Sequence, residues 1–464
     1  MVLSENPVEI DRDLIVRFDT LGPRYTSYPT ADRFVEAFDA TAYSAWLAKR
    51  SIGGIQRPLS LYVHLPFCAS ICYYCACNKV ITKDHRRSAK YLRYLEKEAR
   101  LTLEQLGGER RITQLHWGGG TPTFLSHDEL RELMTMLRSN FDFAPDGEYA
   151  IEVDPRTADE STINLLAELG FNRMSLGIQD VDPQVQKAIN RIQPVAMTRA
   201  ALAAARRAGF TSINFDLIYG LPRQSVESFT TTLDEVIAEA PDRIALYSYA
   251  HLPTRFKPQR RIADHDMPSG ETKLNLFLLA LKRLLDAGYV YIGLDHFAKP
   301  VDELAVALKT GRLHRNFQGY TTQSECDLIA LGVSSISKVG PVYSQNVRTL
   351  EEYYDILDQD RLPATRGMEL GSDDLVRRAV IMALMCQGHV SFESIDIAYL
   401  TDFQVYFAAE LAELTSFERA GLVEVTRSDI TVTPKGRFFL RAICMLFDRY
   451  LQADRVRNRY SKII

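Results

Sequence analysis

Six times between residue 59 and about residue 300, a short apolar run is followed by a longer amphipathic stretch. This alternation constrains the fold more than any other feature. The runs occupy 61–67, 114–117, 149–154, 173–179, 212–219 and 243–251. They are short and rich in aliphatic, β-branched and aromatic residues, which reads as strands. Between them, Leu92, Leu95, Ala99, Leu103 and Leu106 fall on one helical face, and so do Leu130, Leu133, Met134 and Leu137. The Ala-rich stretch 200–208 favours helix, and Leu274, Phe277, Leu278, Leu281 and Leu285 make a further apolar stripe. Six strand–helix units in series imply a parallel sheet with right-handed crossovers. No early Gly-x-Gly-x-x-Gly joins a strand to a helix, which argues against a dinucleotide fold. The expectation is an α/β barrel or partial barrel, whose chemistry gathers at the C-terminal strand ends.

Those ends carry unusual residues. The first strand runs into Cys68-Ala-Ser-Ile-Cys72-Tyr-Tyr-Cys75-Ala-Cys77. The spacing is not that of zinc sites built from two separated Cys pairs, nor of ferredoxin runs that supply four thiolates. Three thiolates on a four-iron cube leave one iron open for a ligand. The second strand ends in His116-Trp-Gly-Gly-Gly-Thr-Pro122, where consecutive glycines let the backbone approach a ligand closely. The third ends in Ile151-Glu-Val-Asp-Pro155, with a carboxylate among apolar neighbours that needs a partner there. Gln179, Arg191, Asp216 and Ala250 follow at or just past the later strands.

Outside this region, residues 1–55 read as an irregular N-terminal strap around Gly22-Pro-Arg-Tyr-Thr-Ser-Tyr-Pro29, 56–345 as the barrel and its extension, and 346–464 as a helical C-terminal domain. That last part carries a hairpin from 421 to 434 and a helix at 438–451, a winged-helix-like pattern with Arg437, Arg441, Arg449, Arg455, Arg457 and Arg459 as a basic tail. A lid or packing role is favoured for it over DNA binding. The net charge of −4 gives no general electrostatic case for nucleic acid or an anionic membrane. Four of seven cysteines sit within ten residues, which is no disulfide framework and fits a reducing compartment. The start lacks the pattern of a signal peptide, and no run reaches a membrane span. A cytoplasmic monomer is expected.

The Cys-x3-Cys-x2-Cys motif resembles that of the radical S-adenosylmethionine (SAM) enzymes. With Cys77, the Arg-Tyr-Thr-Ser-Tyr-Pro strap, Gly-Gly-Gly-Thr-Pro, Gln179 and Asn316-Phe-Gln-Gly-Tyr320, the chain is similar to the oxygen-independent coproporphyrinogen III oxidases. The resemblance implies a partial (β/α)6 TIM-like barrel of the radical SAM type. It implies a [4Fe-4S] cluster on Cys68, Cys72 and Cys75. It implies two SAM molecules, one contacted by Gly119, Gly120, Thr121, Glu152 and Ile336, the other by Gln179, Arg191, Asp216 and Ala250; Tyr62 is implied to bind SAM as well, and the Tyr74 ring to pack over adenine. Arg24, Tyr25 and Tyr28 are implied to cover the substrate, Arg315 and Gln318 to face it, and Cys77 to act in catalysis or shape the loop.

The implied reaction is oxidative decarboxylation of two propionates of coproporphyrinogen III to vinyl groups, through a 5′-deoxyadenosyl radical and with a separate electron donor. A haem chaperone and a haem-degrading radical SAM methyltransferase of the same superfamily are the rival readings. A zinc or DNA-binding protein is a more distant one.

Overall fold

In the computed structural model, which describes residues 12–18, 22–50, 52, 57–323 and 326–453, all six strand candidates form. They are β1 (Leu59–Leu65), β2 (Arg111–Gly119), β3 (Asp142–Val153), β4 (Arg173–Gln179), β5 (Ser212–Tyr219) and β6 (Arg243–Ser248). Each is hydrogen-bonded in parallel to the next in sequence. Helices His85–Gln105 (α1), His127–Asn140 (α2), Glu160–Glu168 (α3), Val195–Arg207 (α4) and Val226–Glu239 (α5) fill the crossovers. Their starts are set by side chains: Ser126 and Glu129 form a capping box on α2, and Asp159 accepts from Thr162 N on α3.

Strictly sequential, right-handed crossovers put every helix on one face of the sheet. That face is apolar: Leu61, Val63, Leu115, Trp117, Ile151, Val153, Leu176 and Phe215 are all buried. The alternate positions point the other way, because side chains in a strand have period two. There stand Tyr62, His116, Glu152, Ser175 and Asp216, none of them fully buried. Registration sets Tyr62 opposite His116, Glu152 opposite Ser175 and Gly177 opposite Asp216. A closed barrel fills its interior with layers of branched apolar side chains; this inner face is polar.

The sheet stays open because β1 has another neighbour. Strand β7 (Asp327–Leu331) runs parallel to it, with Leu61 opposite Ile329. Antiparallel strands β8 (Ile336–Val339), β9 (Val342–Asn346) and β10 (Ala364–Glu369) continue outward. The change to helix expected from about 350 is therefore incomplete. Helix Leu350–Asp358 forms, but Ala364–Glu369 is an edge strand whose Thr-Arg-Gly-Met-Glu composition hides it. In the helix Gly270–Asp286 (α6) the buried residues are Leu276, Phe277, Ala280, Leu281 and Leu284. That face is rotated from the expected one and keeps only Phe277 and Leu281 of it.

The chain divides into two units. The larger comprises Phe34–Leu284 and Glu325–Glu369, the smaller Met1–Arg33, Leu285–Ser324 and Leu370–Ile464. These crossing points differ from the boundaries expected at 55 and 345. In the smaller unit, α7 (Ser372–Gln387), β11 (His389–Ser391), α8 (Phe392–Tyr399), α9 (Ala408–Arg419), β12 (Val423–Val425) and β13 (Asp429–Val432) follow one another. The strands pair in the order β11-β13-β12. Helix, strand, three helices (the middle one the short Phe403–Tyr406) and a hairpin make a winged-helix-like order, as the sequence suggested; the three-residue β11 was too short to read.

The helix expected at 438–451 is broken into a 3-10 turn at Gly436–Phe439 and helices Leu440–Leu446 and Arg449–Ala453. Arg441 donates to the Gly22 and Pro23 carbonyls and Arg449 pairs with Asp373 at 2.6 Å, so both serve packing. Arg455, Arg457 and Arg459, like much of the expected strap before Gly22, lie outside the described residues. Among the described residues, no helix is long and apolar enough to cross a membrane.

Glu98 of α1 ties the β7–β9 extension to the rest of the larger unit. It is fully buried and accepts from Gly332 N (2.7 Å), Asn346 Nδ2 (2.6 Å) and Tyr353 Oη (2.5 Å). Burial pushes its carboxyl from 4.5 up to about 7, against those hydrogen bonds. A carboxyl raised on folding stabilises fully below its unfolded value and loses that contribution as pH rises through the folded one. The urea midpoint should therefore fall between about pH 4.5 and 7, and Glu98→Gln, which does not titrate, should flatten that fall. Glu98→Ala leaves three buried donors unpaired and should cost roughly 3 kcal/mol in the same unfolding measurement.

Candidate active site at the C-terminal strand ends

Past β1 the chain turns at Pro66 into the cysteine loop. The pair Phe67–Cys68 runs parallel to Val80–Ile81, with Val80 N donating to Pro66 O (2.7 Å) and Thr82 N to Cys68 O (3.0 Å). This clamps the loop at its base. Within it, Cys75 N reaches Cys72 O at 3.2 Å. Lys79 Nζ caps the Cys75 and Cys77 carbonyls at 2.9 and 3.3 Å. The outer side is fastened to the turn after β4: Asn190 Nδ2 donates to Ile71 O (2.7 Å) and Tyr73 N to Ile189 O (2.9 Å).

The sulfurs meet polar partners. Cys68 Sγ lies 3.4 Å from Thr121 Oγ1. Cys72 Sγ receives Arg156 Nη2 at 3.5 Å and Arg191 Nη1 at 3.8 Å. Burial pushes the Cys68 thiol up to about 11. The hydrogen bond between Cys77 and Cys75 lowers Cys75 and raises Cys77. All seven cysteines are free thiols.

The glycine run crosses beside this loop. Gly120 N donates to Leu65 O (2.8 Å) and Thr121 N to Phe67 O (2.9 Å). Gly119 has φ +115°, open to glycine, and its N–H donates to Glu152 Oε2 at 3.1 Å. Glu152 Oε1 also bonds His116 Nε2 at 3.2 Å. Burial would raise this carboxyl, but His116 and Gly119 outweigh it and hold it below the usual range. Protein surrounds Glu152, yet its side chain is 43% open, so it lines a hollow. Tyr62 stacks on His116 with centroids 5.8 Å apart and reaches His64 Nδ1 at 3.1 Å. Because His64 Nε2 faces Asn78 O at 3.0 Å, that nitrogen carries the proton and Nδ1 accepts from Tyr62.

A second set sits at the ends of β3 to β6. Gln179 takes a left-handed φ of +68°, strain of the kind that marks functional positions. Arg191 donates to Gly177 O (2.7 Å) and Asp154 Oδ2 (2.9 Å), while its buried Nε has no partner. Arg156 also holds Asp154, at 2.6 Å, and the two arginines outweigh burial to keep that carboxyl low. Asp216 accepts from Ser175 (2.7 Å) and Asn214 (2.9 Å), and burial pushes it up to about 6. Gln259 Nε2 bridges the Ala250 and Tyr74 carbonyls at 3.2 and 3.1 Å, and Tyr74 packs against the apolar cluster of Val185, Ile189, Ile218, Leu221, Tyr249 and Ile262. Ile336 stands apart on β8, opposite Gln345 and two strands out from β1.

The remaining expected residues belong to the smaller unit. Arg24 pairs with Asp295 at 3.1 Å. Tyr25 and Tyr28 are buried: Tyr25 Oη donates to Asp448 Oδ2 (2.9 Å) and Tyr28 Oη accepts from Arg449 N (3.4 Å). Both hydroxyls are thus tied to the C-terminal segment of the smaller unit. Sequence reading passed over Asp154, Arg156, His64 and Lys79. The available signal was an Asp-Pro-Arg run at a strand end and a Lys two residues past the last cysteine.

Three thiols on one clamped loop, with two guanidinium groups on one sulfur and an unpartnered Arg191 N–H nearby, suit a negatively charged iron–sulfur cluster. No three His, Cys, Asp or Glu side chains among the described residues converge as a single-ion cage. The glycine run and the polar hollow suit a small zwitterionic ligand such as SAM.

Comparison with known proteins agrees with this geometry. Residues 62–236 match the radical SAM superfamily, and residues 370–439 match the HemN C-terminal domain. The chain is 52% identical over 456 residues to the oxygen-independent coproporphyrinogen III oxidase of Pseudomonas aeruginosa, covering 98% of both chains. It is 45% identical over 462 residues to the Escherichia coli enzyme of that name, covering 100% of both. The solved structure of coproporphyrinogen III oxidase (HemN) from Escherichia coli, described as a radical SAM enzyme, superposes with a TM-score of 0.90 over 95% of this chain and 100% of that one.

A Cβ at Gly120 would stand 2.7 Å from the Pro66 carbonyl carbon and 2.8 Å from Phe67 O, both backbone atoms. Gly120→Ala must push the cysteine loop away from β2. It should lower stability by about 1–3 kcal/mol in urea unfolding, and lower the iron and sulfide retained after anaerobic reconstitution.

Proposed function

The chain belongs to the oxygen-independent coproporphyrinogen III oxidases of the radical SAM superfamily, and from that premise we propose how its residues divide the work. The reaction is oxidative decarboxylation of two propionates of coproporphyrinogen III to vinyl groups, giving protoporphyrinogen IX in haem biosynthesis. When bound, the [4Fe-4S] cluster and SAM would supply the hydrogen-abstracting 5′-deoxyadenosyl radical, and each propionate would become vinyl by losing a β-hydrogen atom, CO2 and one further electron, the last to a separate acceptor. Everything else is positioning and exclusion of water, which the protein provides.

Cys68, Cys72 and Cys75 hold the cluster and leave one iron for SAM. The observation that carries this is the clamped loop with its three thiols at the end of β1. Gly119, Gly120 and Thr121 receive the methionyl amino group with Glu152, which His116 keeps ionised and acceptor-only. Tyr62 and Ile336 complete that subsite. A second SAM lies along Gln179, Arg191, Asp216, Ala250 and Tyr74. Support comes from the strained Gln179, the unpartnered Arg191 Nε and a carboxylate able to accept ribose hydroxyls. Cys77, exposed on the loop, shapes the Cys75 thiol by hydrogen bonding. Arg24 acts on the substrate side. We place the protein in the cytoplasm as a monomer working with a separate low-potential electron donor, without nucleic acid or membrane.

The deciding experiment is anaerobic turnover of the reconstituted protein with coproporphyrinogen III, SAM and a low-potential reductant. Loss of two carboxyl groups together with 5′-deoxyadenosine is expected by mass spectrometry. Tight haem binding without decarboxylation would favour a chaperone, and a methylated, ring-opened product a haem-degrading methyltransferase. Replacing Cys68, Cys72 or Cys75 singly by Ala should abolish both iron retention and deoxyadenosine formation.

The second SAM subsite has a pH signature. Asp216 faces Ser175, Asn214, Glu152 and Arg191, and its carboxyl sits at about 6. Only its ionised form accepts two hydroxyls. Bound SAM per chain, measured by equilibrium dialysis, should fall from two towards one as pH drops through about 6. Asp216→Asn should stay near one throughout.

A further inference from the structure

We propose that Arg315 and Arg437, both close to Tyr320 in the smaller unit, form the receptor for a propionate carboxylate of the substrate. Arg315 lies on the hairpin His314–Asn316/Gly319–Thr321, with Cζ 4.7 Å from the centre of the Tyr320 ring. Its Nε and Nη1 are buried and have no hydrogen-bond partner, and neither does Nε2 of Gln318 at the hairpin turn. Arg437 donates one N–H to Ile292 O at 2.9 Å while its Nε is buried without a partner. Tyr320 fixes the arrangement: its hydroxyl donates to Met385 O at 3.2 Å and packs on Gly293, the neighbour of Ile292.

Burying guanidinium N–H groups without acceptors is costly, and native interiors rarely leave them so. The carboxylate close to Tyr320, Asp295, is already held by Arg24 at 3.1 Å. Other buried arginines of the chain do find carboxylates, as Arg50 does at Asp327 (2.9 Å) and Arg377 at Glu410 (2.8 Å). Burial lowers the pKa of Arg437, which is consistent with a cation lacking its anion. Two guanidinium forks and an amide N–H are the donor set for one carboxylate. This inference rests on the oxidase reading, which supplies an anion of that class: a tetrapyrrole with four carboxylates, two of them retained in the product.

The test uses the full-length, cluster-loaded protein and coproporphyrin III, the unreactive oxidised form of the substrate, with its tetramethyl ester as the uncharged control. Arg315→Met and Arg437→Met should each weaken coproporphyrin III binding about 10- to 100-fold, the size of one charged hydrogen-bonded contact. Ester binding should hardly change, so the preference for acid over ester collapses. Arg315→Lys should fall between. Iron content and SAM binding should match wild type. The melting temperature of Arg315→Met should be unchanged or higher, since an uncompensated buried cation has been removed. Unchanged acid affinity and unchanged acid-over-ester preference in these variants would overturn the site. So would a lowered melting temperature with parallel loss of acid and ester binding, because that marks a structural arginine. Failure of the wild-type protein to convert coproporphyrinogen III would overturn the oxidase reading and this site with it; conversion by wild type with unaffected variants overturns the site alone.

Discussion

Because the six sequential parallel strands never close on themselves, their inner face has no opposing strands to fill it. Apolar side chains there would lie against nothing. Polar ones must instead be satisfied by one another, and each group on that face is paired across or along the strands. Tyr62 leans on His64, Glu152 is held by His116 and Gly119, and Asp216 by Ser175 and Asn214. Each pairing fixes a side chain's direction while leaving part of it open to the hollow. A preorganised polar lining of this kind is what a site needs if binding is not to be spent on rearrangement. The helices on the other face carry the hydrophobic burial that holds it in place.

Charge in this hollow is arranged around Asp154. Alone, a carboxylate so buried would be protonated or destabilising. Arg156 and Arg191 keep it ionised, and the excess of one positive charge falls on the side of Cys72. A thiolate there, or a cluster bearing negative charge, meets two N–H donors without needing its own counter-ion. Hydrogen bonds to cluster sulfurs are one of the means by which proteins set reduction potential. Asp154 thus acts at one remove, as a positioning residue for the two arginines.

Much of this was legible beforehand because it is local. Strands β4 and β5 were read to the residue, since period-two apolar runs bounded by Asn-Arg and Gly-Leu-Pro leave little choice. The cysteine loop was legible because three thiols within eight residues have few other uses. What escaped the sequence was set by distant parts of the chain. Strand β10 carries Arg366 and Gly367 because its edge position asks little of its side chains, and its Gly367 accepts the close approach of Phe38 and of the Tyr343 carbonyl. Glu98 has no local signal; only Asn346 and Tyr353, some 250 positions away, make it a buried hub. The hydrogen bond from Tyr25 to Asp448 likewise joins residues 423 positions apart, which no local motif shows.

The arginines show how partners, rather than residue type, separate structure from function. Arg50 and Arg377 are buried against carboxylates, and removing either would strand an opposite charge. Arg441 is buried against backbone carbonyls at Gly22 and Pro23, a packing solution with no ion involved. Arg315 and Arg437 follow these patterns only in part: Arg437 donates once, to Ile292 O. Arg315 Nε and Nη1 and Arg437 Nε are withdrawn from water and given no acceptor, a state that costs stability and that a chain selected only for folding would relieve by a change to Met or Gln. An unrelieved cost at two neighbouring positions is intelligible when the missing acceptor arrives with a ligand, and the carboxylates of a tetrapyrrole are acceptors of the required charge and shape.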